Sequence, residues 1–389
     1  MKFENNCLEL YIHIPFCTKK CSYCDFLSFP VGIREHEGYV RKLCEELRYR
    51  SGDAGGYTVG SVFLGGGTPS VLAPTLIARI METVYANYAV APDAEITIEC
   101  NPASTLRYKF SLYRESGINR LSLGLQSANN SELRRLGRLH IFEDFLKSYQ
   151  NARLEGFRNI NIDLMNGIPE QTPDSWRKTL RNVLMLKPEH LSVYNLILEE
   201  GTPFYRLHRA GTLELPTEDS LVEMDNITRE LCLKSGYLRY EISNYARPGF
   251  ECRHNYGYWS DVPYLGFGLG ASSYFNKKRF RNLRNFAEYL ALDFQTEAAA
   301  QFPQLYAEQR ELSRKEQMEE FMFLGLRRVS GVSELDFTAR FSVELQSVFG
   351  EKLRQFVSMG LMRHEGCRYR FTERGMDVSN RLLSEFLLE

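Results

Sequence analysis

The sequence predicts an α/β chain: an open, partial (β/α)6 TIM-like barrel with a winged-helix-like α+β domain at its C-terminal end. Three features of the 389 residues carry this expectation. Six short β-rich runs recur through the first half, segments with helical apolar spacing separate them, and the alternation gives way near Pro216 to a stretch of different composition. Such alternation implies a parallel sheet with helices outside, because a parallel crossover needs about a dozen residues and closes right-handed. Six units fall short of the eight of a closed TIM barrel, so the barrel is expected to stay open; an ordinary doubly wound sheet is the second choice.

The expected strands cover residues 8–14, 61–64, 95–99, 120–125, 159–164 and 191–195. Between the second and third, Leu76, Ile77, Ile80, Met81, Val84 and Tyr85 recur at three- and four-residue spacing, and Pro74 stands where the first helical turn favours proline. A Gly-, Asn- and aromatic-rich stretch follows at 244–275, then a charged helical segment near 309–325. Short helices near 334–341 and 343–359 precede a two-stranded wing formed by 361–364 and 367–372. The chain therefore divides into a partial barrel (1–215), a barrel extension and connecting segment (216–300) and a winged-helix-like domain (301–389).

Hydrophobic residues at 43% and charged residues at 25% exclude disordered and collagen-like classes. With 48 Lys and Arg against 49 Asp and Glu, there is no global pull toward nucleic acid or an anionic membrane. Winged helices often bind DNA, but residues 301–389 hold 13 basic and 14 acidic side chains, the wrong balance for neutralising phosphates, so no stable nucleic-acid partner is expected. The first residues lack the basic start and apolar run of a secretory signal, and a cytoplasmic location is expected. In a reducing compartment nine cysteines are too many for disulfides, and the count is odd.

Three of those cysteines fall within eight residues, Cys17-Thr18-Lys19-Lys20-Cys21-Ser22-Tyr23-Cys24, directly after the first strand. Three thiolates on one loop select zinc or an iron-sulfur cluster, and three ligands leave the fourth iron of a four-iron cluster open to a small molecule. The plain alternative is a closed zinc site completed by His13 or Asp25. After the second strand comes Gly65-Gly66-Gly67-Thr68-Pro69, whose glycines permit positive φ and close approach of backbone amides to a ligand; a simple tight turn is the bland reading. Glu99, Gln126 and Asp163 lie at or near the ends of the third, fourth and fifth strands, where barrel enzymes place function and where a helix cap is the plain alternative.

The Cys-x3-Cys-x2-Cys run with Tyr23 before its last cysteine resembles the signature of the radical S-adenosylmethionine enzymes. The resemblance implies a 4Fe-4S cluster on Cys17, Cys21 and Cys24, with S-adenosyl-L-methionine chelating the fourth iron and receiving one electron. It also implies that the glycine run holds the methionine amino group. Tyr11 to Cys17, Gly66-Gly67-Thr68, Glu99 to Pro102, Leu123 to Ser127, Gly137-Arg138-x-His140 and Asp163 to Pro169 further resemble the branch that holds oxygen-independent coproporphyrinogen III oxidase and the related heme chaperones. Carried over by position, Tyr11, Gly66 and Glu99 match contacts to the cluster-bound S-adenosylmethionine. Tyr23, Gly67, Thr68, Gln126, Arg138 and Asp163 match contacts to a second such molecule in the oxidase.

Two departures separate the branches. The oxidase resemblance requires a further cysteine two places after Cys24, where Phe26 stands, and a longer segment than the 16 residues before Cys17. Positively, Cys252-Arg253-His254-Asn255-Tyr256-Gly257-Tyr258-Trp259 is similar to the chaperones' His-Asn-x-x-Tyr-Trp motif. Imidazole or thiolate ligates heme iron and flat aromatic faces suit the macrocycle, so His254 is a candidate heme contact with Cys252 as its competitor; a buried, hydrogen-bonded histidine is the bland alternative. Lys277-Lys278-Arg279-Phe280-Arg281 reads as a solvated hairpin tip before it reads as a partner for heme propionates. The expectation is a heme chaperone that serves a haemoprotein or respiratory-chain acceptor as a monomer or dimer, with room for transient membrane association. Coproporphyrinogen decarboxylation and nucleic-acid modification are the second and third readings.

Overall fold

A computed structural model describes residues 3, 4, 6–104, 106–294 and 303–388. The six expected strands form β1 (Cys7–Ile14), β2 (Thr58–Gly66), β3 (Val90–Cys100), β4 (Arg120–Gln126), β5 (Ile160–Asn166) and β6 (His190–Asn195). They pair in chain order and in parallel, with helices between them. Alternation decides what each face does. On β1 Leu8, Leu10, Ile12 and Ile14 join the core, as do Val62, Leu64, Ile96, Ile98, Leu121, Leu123, Ile160, Ile162 and Leu191 from the next strands. Helices Ile33–Tyr49 and Pro74–Asn87 cover this outer face with Val40, Leu43, Leu47, Ile77, Ile80 and Val84.

The residues in between, Glu9, Tyr11, His13, Ser61, Phe63, Glu95, Thr97, Glu99, Arg120, Ser122, Asn161, Asp163, His190 and Ser192, point the other way and give the partial barrel a polar interior. A closed barrel of eight strands fills that space with layers of Val, Ile and Leu.

Past β6 the alternation ends, but only after two more helices, Pro203–Arg209 and Glu218–Lys234, the second packed beside helix Pro173–Met185. Strand β8 (Asn244–Ala246) then extends the sheet antiparallel to β6, and β7 (Leu238–Arg239) pairs antiparallel to β8 outside it. At the other edge β9 (Tyr264–Phe267) lies parallel to β1, and β10 (Ser272–Phe275), β11 (Lys278–Asn282) and β12 (Tyr306–Glu311) follow antiparallel, for twelve strands in one open sheet among the described residues. Of the basic run expected as a solvated tip only Lys277 lies in the β10–β11 turn, where it and Asn276 have positive φ; Lys278 to Arg281 are strand, with Phe280 packed on the core and Arg279 paired to Glu320 at 2.7 Å.

Residues 309–311, expected as helical, are strand. The helix starts at Arg314, after Ser313 and Glu316 close a capping box. The expected division at 300/301 lies outside the described residues. Beyond it, helices Arg314–Gly325, Glu334–Phe341 and Leu345–Ser358 surround a separate core that includes Met322, Leu326, Phe337, Phe349, Leu353 and Phe386. β13 (Val332–Ser333), β14 (Met362–Glu365) and β15 (Arg368–Phe371) pair in the order β13-β15-β14, with β14 and β15 as the wing. Among the described residues no helix is long and apolar enough to cross a membrane.

Candidate functional site

The cysteine loop leaves the C-terminal end of β1 and is tied down at both sides. Phe29 N–H donates to Pro15 O at 3.0 Å, Cys17 N–H to Phe29 O at 3.3 Å, and Ser22 N–H to Leu136 O at 3.1 Å. Tyr23 packs with Leu136, Met165, Ile168 and Phe204, which seats the loop over the ends of β4 and β5. Cys17, Cys21 and Cys24 are free thiols and half-buried. Burial raises the Cys24 thiol above its ordinary range.

Two of the sulfurs already touch other candidates. Cys17 Sγ lies 3.5 Å from Thr68 Oγ1, and Arg138 Nη1 donates to Cys21 Sγ at 3.7 Å. The zinc alternative loses a ligand, because His13 uses both ring nitrogens, Nδ1 at 3.0 Å from Tyr11 Oη and Nε2 at 2.9 Å from Leu27 O. Among the described residues no three His, Cys, Asp or Glu side chains converge on one centre, as a mononuclear tetrahedral site demands. Three separate, free thiols on one anchored loop fit a multi-iron cluster.

The glycine run passes directly beneath this loop. Gly66 has φ +115°, a conformation that L side chains rarely adopt, and an added Cβ would stand 2.6 Å from the His13 ring. At Gly67 the same atom would meet Phe16 O at 2.6 Å. Gly66 N–H donates to Glu99 Oε2 at 3.1 Å. Burial lifts the Glu99 carboxyl to about 8, with Asp163 adding repulsion and the Gly66 N–H opposing the shift.

Asp163 sits in mid-strand inside the barrel, a position deeper than the strand end expected, and accepts from Asn161 Nδ2 at 2.7 Å and Ser122 Oγ at 3.0 Å. Gln126, at φ +72°, ends β4 and accepts from Tyr194 Oη at 2.6 Å. Arg138 also donates to Gly124 O. A narrow crevice of ≈ 20 Å³ brings Cys21, Thr68 and Arg138 to the same surface. The fold thus gathers Tyr23, Gly66, Gly67, Thr68, Glu99, Gln126, Arg138 and the three cysteines at one end of the barrel, with Tyr11 and Asp163 in mid-strand on the interior wall.

His254 is not among them. Helix Arg253–Trp259 closes the opposite end, where Glu95 caps it: Oε1 accepts from Cys252 Sγ at 3.3 Å and His254 N–H at 3.2 Å, and Oε2 from Arg253 N–H at 3.1 Å. The His254 ring is buried, stacked 5.1 Å from Phe63, with Nδ1 2.8 Å from Ser61 Oγ and Nε2 2.9 Å from Tyr258 Oη. Burial, with repulsion from Arg120, pushes its pKa down to about 3, while burial and Glu95 raise Glu9 well above the carboxylate range. The 4.0 Å approach of Glu9 to His254 is therefore not an ion pair. Gly257 fits here because a Cβ would fall 1.9 Å from Glu9 Oε1.

Sequence reasoning missed the base network of Glu9, Glu95, Arg120, Asn161 and His190. The signal was available as polar residues at every second position of the expected strands. One branch crosses the interior: Asn161 bonds Asp163 on one side and His190 Nδ1 (2.6 Å) on the other, and His190 Nε2 lies 2.8 Å from Tyr240 Oη.

A thiol loop over a glycine turn at the mouth of a partial barrel, with a small winged domain appended, defines the radical S-adenosylmethionine class. The family model "Radical SAM superfamily" matches residues 11–183 and "HemN C-terminal domain" matches 312–378. The chain is similar over 97% of its length to Heme chaperone HemW of Lactococcus lactis (34% identical, 97% of that protein) and of Bacillus subtilis (35%, 99% of that protein). Its fold matches the solved structure of coproporphyrinogen III oxidase (HemN) from Escherichia coli, a radical SAM enzyme, with TM-score 0.84 at 25% identity over 98% of this chain and 90% of the other. The chain belongs to the radical SAM superfamily and, within it, to the HemW family. Membership implies a 4Fe-4S cluster and S-adenosylmethionine.

Proposed function

We propose that this protein is a cytoplasmic heme chaperone that binds heme and hands it to a haemoprotein or respiratory-chain acceptor. The observation that carries the reading is the end-to-end likeness to heme chaperones, 34% over 97% of both chains. Phe26 adds to it: the position where the oxidase resemblance requires a cysteine holds a phenyl ring 70% exposed.

In this reading Cys17, Cys21 and Cys24 hold the cluster, which when bound supplies one electron to the S-adenosylmethionine sulfonium. Glu99 offers a carboxylate to the cosubstrate's ammonium, Gly66 and Gly67 open the space for its approach, and Tyr11 lies on the same wall. Arg138 ties the loop to β4 through Gly124 O and Cys21 Sγ. Tyr23, Thr68, Gln126 and Asp163 line the remaining side. His254 belongs to the heme-binding segment as a positioning residue, fixing Tyr258 and the helix that carries Tyr256. The three-part division at 215/216 and 300/301 is retained, with the middle part supplying that helix.

The test is anaerobic incubation of reconstituted protein with coproporphyrinogen III, alongside a heme titration and transfer to an apo-haemoprotein. Stable heme binding and transfer without decarboxylation is the expected result. Stoichiometric conversion to protoporphyrinogen would overturn the reading in favour of the oxidase.

A further inference from the structure

At the base of the barrel, opposite the cysteine loop, lies a cavity of ≈ 790 Å³, within the range of about 300–1,000 Å³ usual for ligand sites. Its wall joins three parts of the chain: Cys7 and Ala91 at the starts of β1 and β3, Arg239, Tyr240 and Tyr256 from the middle segment, and Arg370 from the wing. Of these, only Tyr240, at the end of the interior hydrogen-bond branch, and the helix that carries Tyr256 were described above.

We propose that this cavity holds the cargo, an iron porphyrin, with its ring against Tyr240 and Tyr256, its carboxylates at Arg239 and Arg370, and its iron ligated by Cys7 Sγ. The proposal rests on the heme reading above and assigns it a place.

Four observations support the fit. The Cys7 thiol is free and half-buried, and it reaches the cavity because residue 60 is glycine, where an added Cβ would stand 2.7 Å from Sγ. A soft sulfur ligand is one of the established ways of holding heme iron. The Tyr240 and Tyr256 rings stand 6.1 Å apart at 39°, each fixed by its hydroxyl, Tyr240 at 2.8 Å from His190 Nε2 and Tyr256 at 3.2 Å from Ser330 Oγ, and with Phe3 stacked 6.4 Å from Tyr256 they give the cavity a rigid aromatic wall.

Arg239 directs its hydrogen bonds to the main-chain oxygens of Glu241 and Ile242 and not to a carboxylate, while Arg370 uses Nη2 on Glu365 and retains further donors. The third arginine of the wall, Arg253, is paired with Asp93 at 2.9 Å much as Arg370 is with Glu365 at 2.5 Å, and Glu4 and Glu251 also line the wall, so Arg239 is the chief member of the carboxylate clamp. In the ligation step the sulfur–iron bond forms as the thiol proton leaves to solvent, and the iron keeps its oxidation state.

The experiment is a titration of the full chain with ferric heme, read by the Soret band and by heme loss to an apo-haemoprotein in excess. Expected is about tenfold faster loss and a displaced Soret band for Cys7→Ser, and faster loss with an unmoved band for Arg239→Gln. Ala91→Phe, which fills the cavity, should bind little heme, and Cys367→Ser, a half-buried thiol in the C-terminal domain, should behave as wild type. If Ala91→Phe fails to fold, the other two variants still decide. A wild type that binds one heme with Cys7→Ser and Arg239→Gln identical to it would overturn the site and leave the heme reading standing. A wild type that binds no heme would overturn both.

Discussion

The two ends of the barrel use the same kind of residue to opposite ends. At the mouth, Glu99 receives one backbone N–H, the three thiols are half-buried and free, and Gly66 and Gly67 leave space where any side chain would collide. At the base, Glu95 accepts from two backbone amides and a thiol, and His254 has both nitrogens engaged. Polar groups satisfied from within rigidify a structure; polar groups held open by their surroundings await a ligand. The contrast teaches that the cysteine-histidine motif of the base is first a plug, while the cysteine loop of the mouth is first a receptor.

The largest test of that contrast removes the mouth. Changing Cys17, Cys21 and Cys24 to Ala should abolish iron and sulfide binding and the broad visible absorption of reconstituted protein, with the thermal midpoint of the cofactor-free chain little changed. Iron kept at wild-type stoichiometry would place the cluster elsewhere.

The next removes a bolt from the base. His254→Ala leaves Ser61 Oγ and the Tyr258 hydroxyl buried without their partner and empties the space beside Phe63. A loss of about 2–4 kcal/mol in denaturant unfolding is expected, with iron content at the mouth unchanged. A loss below about 0.5 kcal/mol, the range of ordinary surface substitutions, would mean that the base is not locked.

The last test sharpens the comparison through pH. The folded Glu99 carboxyl titrates near 8, above its ordinary value of 4.5, so its contribution to stability is fully present below about pH 4.5 and is lost as pH rises through 8. Glu99→Gln does not titrate, so the cofactor-free variant should gain on the wild type between those limits by at most about 1.4 kcal/mol per pH unit. Parallel stability profiles from pH 5 to 8.5 would show that the mouth is as well satisfied as the base.

The six barrel strands were legible because apolar residues alternate on them and helical spacing intervenes; the wing was legible for the same reason. Strand β12 was not, since five of its six side chains are exposed and Glu308, Gln309, Arg310 and Glu311 carry no apolar period. The mouth was legible as a local run of cysteines and a local run of glycines. The base was not, because Glu9, Glu95, Arg120 and His190 come from four strands and meet only when the barrel curls. A histidine's partners are likewise invisible in sequence, so His254 read equally well as a ligand and as a satisfied core residue.

The interior link from Asp163 to Tyr240 also fixes which way each hydrogen bond runs. Asn161 donates both amide hydrogens, to Asp163 and Ser122, so its Oδ1 must accept from His190 Nδ1. Burial holds His190 well below its ordinary pKa, leaving a neutral ring whose Nε2 can only accept, and the Tyr240 hydroxyl proton is committed inward to it. The phenolic oxygen already accepts from Cys252 N–H at 3.2 Å. The Tyr240 hydroxyl therefore has no proton left to give: it can take a further hydrogen bond but cannot donate one.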